Sequence, residues 1–65
     1  MIFKACCEAM YDYQERDENI LPIRAGEKLF VVDDECDGWI RVKRQVPSSS
    51  GFDEGYVPAS YMRIL

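Results

Sequence analysis

The sequence predicts a small all-β domain, built as an antiparallel barrel or sandwich. The chain has 65 residues, which allows one domain with a small core. Its apolar residues alternate with a period of two, as in strands that bury one face. Turn-forming residues separate these runs at short intervals, which is typical of small barrels and sandwiches.

The alternating runs predict which side chains point into the core. These inward positions are Cys7, Ala9, Leu21, Ile23, Leu29, Val31, Val42, Val57 and Met62. Ile40 and Val42 repeat the same two-residue step after Trp39. Residues 62–65 predict a last short strand. Because so small a core leaves little margin over chain entropy, a charge at Val42 or Val57 is expected to unfold the domain.

Glycine, proline and acidic residues predict the turns between these runs. Residues 33–38 form an acidic stretch that ends in Asp37-Gly38, a strong hairpin-turn dipeptide. Residues 45–55 are rich in serine and glycine, which predicts a long hairpin loop. Pro58 ends the next run, and residues 59–61 are compatible with one turn of 3₁₀ helix.

Cysteine and histidine usage argues against metal sites and disulfides. The chain has three cysteines and no histidine. An odd cysteine count does not fit a secreted disulfide framework, and the usual zinc ligands are absent. We expect free thiols in a reducing compartment, with neither a metal nor another cofactor. No serine, cysteine or lysine has an evident activating base, so we expect no catalytic residues and no enzyme activity.

Charge and hydropathy limit the partners. With 12 acidic and 8 basic residues the net charge is −4, which disfavours nucleic acid and favours partners that carry arginine or lysine. No run approaches the roughly 20 apolar residues of a membrane helix, and the start of the chain lacks a signal-peptide pattern. We therefore expect a cytoplasmic domain.

More aromatic residues are present than the core requires. They stand off the inward alternation or at the ends of elements: Tyr11, Tyr13, Trp39, Tyr56 and Tyr61. Together with Pro58 they would form a ridged patch with polar tips. Such a patch fits a polyproline II peptide, whose rings enter grooves and whose free carbonyls accept hydrogen bonds. For any single tyrosine, packing over the end of a barrel is an equally good explanation.

Acidic residues accompany these rings in the neighbouring loops: Glu15, Asp17, Glu18, Glu35 and Asp37. Carboxylates at these positions could bind a basic residue that flanks the prolines, although a run of charges is also an ordinary solvated surface. Rings with carboxylates also suit a methylated cation. A Tudor- or chromo-like reader of methylated lysine or arginine is therefore the alternative function.

Four motifs in this order resemble the Src-homology-3 (SH3) family and span nearly the whole chain. AMYDY at 9–13 is similar to the family's ALYDY signature, and GEKLFVV at 26–32 resembles the strand after its diverging turn. GWIRV at 38–42 resembles the tryptophan strand, and GYVPASY at 55–61 resembles the G-Y-[IV]-P-x-N-Y segment.

The resemblance implies a five-stranded antiparallel barrel over residues 3–65. Its RT loop would cover 14–22, its n-Src loop 33–38 and its distal loop 45–54, with a 3₁₀ turn at 59–61. The function implied is non-catalytic binding of proline-rich peptides of the PxxP type. The implied peptide-binding residues are Tyr11, Tyr13, Trp39, Tyr56, Pro58, Ser60 and Tyr61. Tyr11 and Tyr61 would form one proline groove, with Tyr13 beside it, and Tyr61, Pro58 and Trp39 would form the second. Trp39 and the acidic loops would frame a specificity pocket.

The chain departs from the family pattern at particular positions. Ile40 replaces the common second tryptophan, which we expect on the outer face of the sheet. Ser60 replaces a frequent asparagine, which weakens one hydrogen bond to a ligand carbonyl. The distal loop is longer than usual. Ile20 stands where many members have the acid that pairs with a ligand arginine, so charge selectivity is expected to be shifted or relaxed.

Within the family, CDGWIRVKR and GFDEGYVPASY resemble the C-terminal SH3 domains of TOCA-type F-BAR adaptors. That resemblance implies a monomeric domain that binds proline-rich segments of WASP-family proteins, dynamin or formin-like proteins. It also implies a parent protein at the plasma membrane or at endocytic sites, where it links membranes to actin regulators. The barrel itself would not bind membranes directly.

Overall fold

Five antiparallel strands form the framework in the computed structural model, which describes residues 5–15 and 17–65. The strands are β1 (Ala5–Ala9), β2 (Lys28–Cys36), β3 (Trp39–Arg44), β4 (Glu54–Pro58) and β5 (Met62–Ile64), with a 3₁₀ turn at Ala59–Tyr61. Their order in the sheet is β4-β3-β2-β1-β5. This architecture confirms the predicted fold class. Residues 3 and 4 of the expected domain and residue 16 of the RT loop lie outside the described residues.

The core forms from side chains that alternate along the strands, as expected for sheets with one buried face. All the predicted inward residues are buried, from Cys7 at 0% exposed to Met62 at 8%. Burial, together with the neighbouring Cys6 thiol, raises the pKa of the Cys7 thiol to about 11. Cys6 points the opposite way and is exposed, as the period of two predicts.

The expected position of Ile40 on the outer face of the sheet is wrong. Ile40 is 6% exposed and belongs to the core. Ile40 pairs with Val57 of β4. It stands two positions before Val42 in β3, so Ile40 and Val42 point to the same side of the sheet. Ile40 is therefore a core residue that the predicted inward set left out, although it stands one two-residue step before Val42.

The predicted acidic loop at 33–38 is shorter in the structure. Residues 33–36 continue β2, and the pairing of β2 with β3 shifts register on both sides of Asp33. The turn itself is Asp37-Gly38, closed by the pair Cys36 and Trp39. Asp37 and Gly38 have φ values of 53° and 85°, the left-handed conformation that two-residue hairpin turns require. The distal loop occupies 45–53, close to its predicted bounds, and the 3₁₀ turn lies where it was predicted.

Backbone hydrogen bonds shape the long connection between β1 and β2 into a folded arm. Tyr13 and Ile23 exchange N–H to carbonyl bonds of 2.9 Å in both directions. Asp12 accepts a bond from the Ala25 N–H at 2.6 Å. The arm therefore doubles back on itself and carries the RT loop tip toward β4. No helix in the described part of the chain has the length and apolar character to cross a membrane.

Arg44, at the end of β3, connects the base of this arm to the distal loop. Its guanidinium donates to the Pro22 carbonyl at 3.0 Å and pairs with Glu27. It also lies 3.7 Å from Asp53. Hydrogen bonding from Ser48, by its hydroxyl and then by its N–H, lowers the pKa of the Asp53 carboxyl, and Arg44 adds to this effect.

Candidate peptide-binding site

Four aromatic rings form a continuous row on one side of the barrel. Tyr11 contacts Tyr61 with ring centres 5.3 Å apart, and Tyr61 contacts Tyr13 at 5.5 Å. Tyr13 in turn contacts Trp39 at 6.2 Å. All three contacts are edge-to-face, the arrangement that aromatic quadrupoles prefer. We call this set the aromatic row.

The row brings together residues that are distant in sequence. Tyr11 and Tyr13 follow β1, Trp39 begins β3, and Tyr61 ends the 3₁₀ turn. Tyr13 stands between Tyr61 and Trp39, which is more central than its expected place beside the first groove. Tyr11 is 57% exposed, whereas Tyr13 and Tyr61 also pack against the core. The row thus presents ring surface outward, while Tyr13 and Tyr61 rest against the core.

Backbone hydrogen bonds hold the segments that carry the row. The Met10 N–H donates to the Tyr61 carbonyl at 2.8 Å, which ties the end of β1 to the 3₁₀ turn. The Ala59 N–H donates to the Gly38 carbonyl at 2.8 Å, which ties that turn to the β2–β3 hairpin. Half-buried Pro58 pairs with Trp39 across β3 and β4, and Ser60 is exposed in the 3₁₀ turn.

An open pocket lies beside the Trp39 end of the row. Its lining residues, which we call the Trp39 pocket, are Asp17, Asn19, Ile20, Cys36, Asp37, Trp39 and Tyr56. The RT loop tip forms one wall, the β2–β3 hairpin another, and β4 contributes Tyr56, which is 39% exposed. Ile20, predicted at the position of the family's acid, is one of the apolar side chains of this pocket.

Only some of the predicted acidic residues reach the Trp39 pocket. Asp17 and Asp37 line it. Glu18 lines a neighbouring depression with Arg41, and Glu35 lines another one between β2 and β5. Glu15 is exposed on the RT loop. The predicted acidic flank is therefore divided among several surfaces in the structure.

The ion pairs of the described residues involve acids outside the Trp39 pocket. Arg41 pairs with Asp33 and Glu54, and Arg63 pairs with Glu8. Among residues 5–15 and 17–65, no ion pair engages Asp17 or Asp37. Among the described residues, Asp17 and Asp37 therefore give the Trp39 pocket a negative charge.

Several residues of the site were not predicted from the sequence. Cys36 and Asn19 line the Trp39 pocket. Cys36 could have been found from the Asp-Gly turn, because a two-residue turn makes Cys36 the partner of Trp39. Gly55 allows the backbone of the RT loop tip to lie directly against β4, a contact between distant segments that no local pattern reveals.

The model of the SH3 domain family matches residues 8–59. The chain is an SH3 domain. Human formin-binding protein 1-like is 37% identical to this SH3 domain over 59 residues, and human Cdc42-interacting protein 4 is also 37% identical over 59 residues. Each match covers 89% of this SH3 domain and 9% of the relative. These relatives are adaptors of the TOCA type, which confirms the predicted resemblance.

Solved SH3 domains share the architecture at lower identity. The C-terminal SH3 domain of myosin IB from Entamoeba histolytica, solved with a bound peptide, aligns with a TM-score of 0.77 at 18% identity. That alignment covers all of this SH3 domain and 98% of the other chain. The SH3 domain of yeast NBP2 aligns with a TM-score of 0.78 at 23% identity, covering 94% and 97% of the two chains. Because the family model matches this chain, and SH3 domains are non-catalytic protein-interaction modules, the predicted class of interaction module is confirmed.

Proposed function

We propose that this SH3 domain, which we assign to residues 3–65, binds proline-rich segments of other proteins in the polyproline II conformation. The aromatic row carries this proposal. A polyproline II helix repeats every three residues, leaves its carbonyls unpaired and is already extended before binding, so little ordering is required. A row of rings offers grooves for its prolines, and hydroxyl and indole N–H groups can donate to its carbonyls.

The site residues have distinct roles in this proposal. Tyr11, Tyr13 and Tyr61 contact the first prolines, and Trp39 with Pro58 contacts the next. The Trp39 pocket, which includes Tyr56, receives the residue that flanks the prolines. Ser60 reaches the ligand through a water-mediated hydrogen bond. Asp17 and Asp37 favour a basic flank, because no described cation neutralises them.

The names of the relatives indicate where such binding could operate. We propose that the parent protein is an adaptor that links endocytic membranes to actin regulators. Its partners would then be proline-rich segments of formin-like proteins, WASP-family proteins or dynamin. The domain would act as a monomer in the cytoplasm, with the parent protein recruited to the plasma membrane.

Trp39 fluorescence provides a direct test of the proposed function. We expect titration with a proline-rich peptide flanked by arginine to change the emission, with a dissociation constant on the order of micromolar, because a short peptide buries little surface. Affinity is expected to fall as salt rises, since carboxylates contribute to it. A response to a trimethyl-lysine peptide alone would contradict the proposal and favour a reader of methylated residues.

A matched pair of variants locates the binding surface. Trp39→Ala is expected to abolish measurable binding, measured by calorimetry, while circular dichroism shows an unchanged fold. Phe52→Ala is the control, because Phe52 is an exposed aromatic residue in the distal loop, outside the aromatic row. Affinity of Trp39→Ala within threefold of the wild type would mean that the peptide binds elsewhere.

A further inference from the structure

The core reaches the surface in a groove on the side of β3 that faces away from Trp39. Eight residues line this groove, which we call the β2–β5 groove: Ala5, Val31, Asp34, Glu35, Ile40, Ala59, Met62 and Ile64. We propose that it is a second binding site, which takes a bulky apolar side chain of an extended partner segment together with an adjacent lysine or arginine. The site is separate from the aromatic row and does not depend on the proposed function.

The core is covered least completely at this groove. Among the buried hydrophobic residues that the structure describes, Val31, Ile40 and Met62 keep the largest exposed fractions, at 3%, 6% and 8%. All three line the β2–β5 groove. Beside them, the side chain of Ile64 is 57% exposed. Apolar surface that belongs to the core is therefore accessible to a ligand here.

Ile40 leaves room for an incoming side chain. It follows Trp39 in β3, and because side chains alternate along a strand, the two residues point to opposite faces. Isoleucine stands where the family commonly has tryptophan, so the groove contains space that a larger ring would occupy. Its volume of about 470 Å³ lies within the roughly 300–1,000 Å³ of ligand pockets.

A carboxylate at the edge of the groove determines the chemistry of the occupant. Glu35 is exposed near the end of β2 and lines the groove beside Asp34. Among residues 5–15 and 17–65, none of the ion pairs involves Glu35. An uncharged apolar partner would partly desolvate this carboxylate, whereas a lysine or arginine beside the apolar side chain would pair with it. Charge complementarity therefore favours a partner segment that is both apolar and basic.

The apolar side chain is expected to supply most of the affinity. Leucine has three more carbon atoms than alanine, and each methylene removed from water is worth roughly a fourfold gain in affinity. An open groove that shields about half of these carbons would favour leucine by about eightfold. An exposed ion pair contributes less, about two- to threefold. A tetrapeptide that buries so little surface is expected to bind with a Kd on the order of millimolar.

Titration of the isotopically labelled domain, followed by NMR amide shifts, tests the proposal. The probe is a blocked tetrapeptide, glycine-leucine-lysine-glycine, compared with versions that carry alanine for leucine or glutamine for lysine. We expect saturable shifts at Ala59, Met62 and Ile64, and about eightfold weaker binding of the alanine version. The glutamine version should bind about two- to threefold more weakly, and Glu35→Gln should remove that difference.

Ile40→Trp distinguishes this site from the aromatic row. The added ring fills the groove, so we expect the tetrapeptide to bind about fivefold more weakly or worse, while affinity for the arginine-flanked proline-rich peptide stays within about twofold of the wild type. Trp39→Ala is expected to show the opposite pattern. Val46→Trp is the matched control, because it adds the same ring at a 77% exposed position outside the groove.

Each outcome decides this inference independently of the proposed function. Equal binding of the leucine and alanine versions, or shifts confined to the aromatic row, would overturn the inference and leave Trp39-dependent peptide binding intact. Tighter tetrapeptide binding after removal of residues 1–4 would identify the chain's own terminus as the occupant and would also overturn it. A dimer that Ile40→Trp dissociates, measured by sedimentation, would identify a second copy instead and overturn it as well. The wild-type comparison of tetrapeptides decides the inference even if Ile40→Trp does not fold.

Discussion

Gly55 lies in β4 at the point where the RT loop tip packs against the barrel, and adding a methyl group there tests how the Trp39 pocket is built. A Cβ atom at Gly55 would lie 2.9 Å from the Leu21 backbone nitrogen and 3.0 Å from the Asn19 carbonyl oxygen. It would also lie 3.2 Å from the Leu21 Cβ. Because two of these contacts are with backbone atoms, a side-chain rotation cannot relieve them. Gly55→Ala therefore forces the loop tip away from β4 or strains both segments.

The loss in the free energy of unfolding can be worked out for both cases, a loop tip that moves and one that stays. If the tip moves, the hydrogen bonds from the Tyr56 N–H to Asn19 and from the Leu21 N–H to Tyr56 are lost, at about 0.5–1.5 kcal/mol each. If it stays, overpacking costs about 1–3 kcal/mol. Alanine also lowers the conformational entropy of the unfolded chain, which offsets about 0.4–1 kcal/mol of this loss. We expect a net loss of about 1–2 kcal/mol, which lowers the melting temperature of so small a domain by about 5–15 °C.

Thermal unfolding followed by circular dichroism measures this change, and titration with the arginine-flanked proline-rich peptide shows whether the pocket has opened. Gly51→Asn is the control, because a Cβ at Gly51 meets no atom within 4 Å and asparagine tolerates its φ of 78°. A melting temperature of Gly55→Ala within about 2 °C of the wild type would refute the packing argument. An unchanged peptide affinity in a destabilised variant would show that Gly55 supports the fold without positioning Ile20.

The remaining predictions concern the core and the titrating groups. Val42→Asp is expected to abolish the cooperative thermal transition, because it would bury a carboxylate without a partner. Val46→Asp is the control, since Val46 is 77% exposed and the transition should remain intact. A cooperative transition in Val42→Asp would contradict the core assignment. Iodoacetamide at pH 8 is expected to modify Cys6 and spare Cys7, because a pKa of about 11 leaves roughly one Cys7 thiol in a thousand ionised. Mass spectrometry of the labelled domain measures this difference, and equal labelling of the two cysteines would refute it. The lowered pKa of Asp53 means that its ionised form stabilises the fold above the unfolded pKa of about 3.9, and that this stabilisation is lost as the pH falls through the folded pKa. Asp53→Asn should therefore lower the melting temperature at pH 7 and have progressively less effect below about pH 4; a pH-independent difference would show that the charge of Asp53 is not involved.

The strands could be predicted because each requires only local information. Apolar residues that alternate at a period of two mark the buried face whatever the neighbouring strand is, so the inward positions from Cys7 to Met62 agree with the structure. Asp37-Gly38 predicted its turn for a similar reason, since few residues adopt the left-handed conformation. The end of β2 was misjudged because charged residues on an exposed, irregular strand have the composition of a loop.

The surroundings of each site residue depend on contacts between distant segments. The sequence identified the aromatic residues that exceed the needs of the core, but it placed Tyr13 beside a groove, whereas Tyr13 joins Tyr61 to Trp39. It listed five acids, of which the structure brings Asp17 and Asp37 to the Trp39 pocket. The direction of each carboxylate depends on how the loop packs, and that packing is not encoded within the loop itself.

By itself the sequence determined an SH3 barrel, all of its buried residues except Ile40, and the kind of surface that it exposes, because alternation, turn chemistry and family motifs are properties of short segments. Only the tertiary structure decided that the tip of the RT loop lies against β4 at Gly55, and that Ile20 faces a pocket with carboxylates on separate walls. The physical reason is that this arrangement arises from backbone hydrogen bonds between residues 19–21 and Tyr56, which are far apart in the chain. Such bonds form only when the barrel has folded.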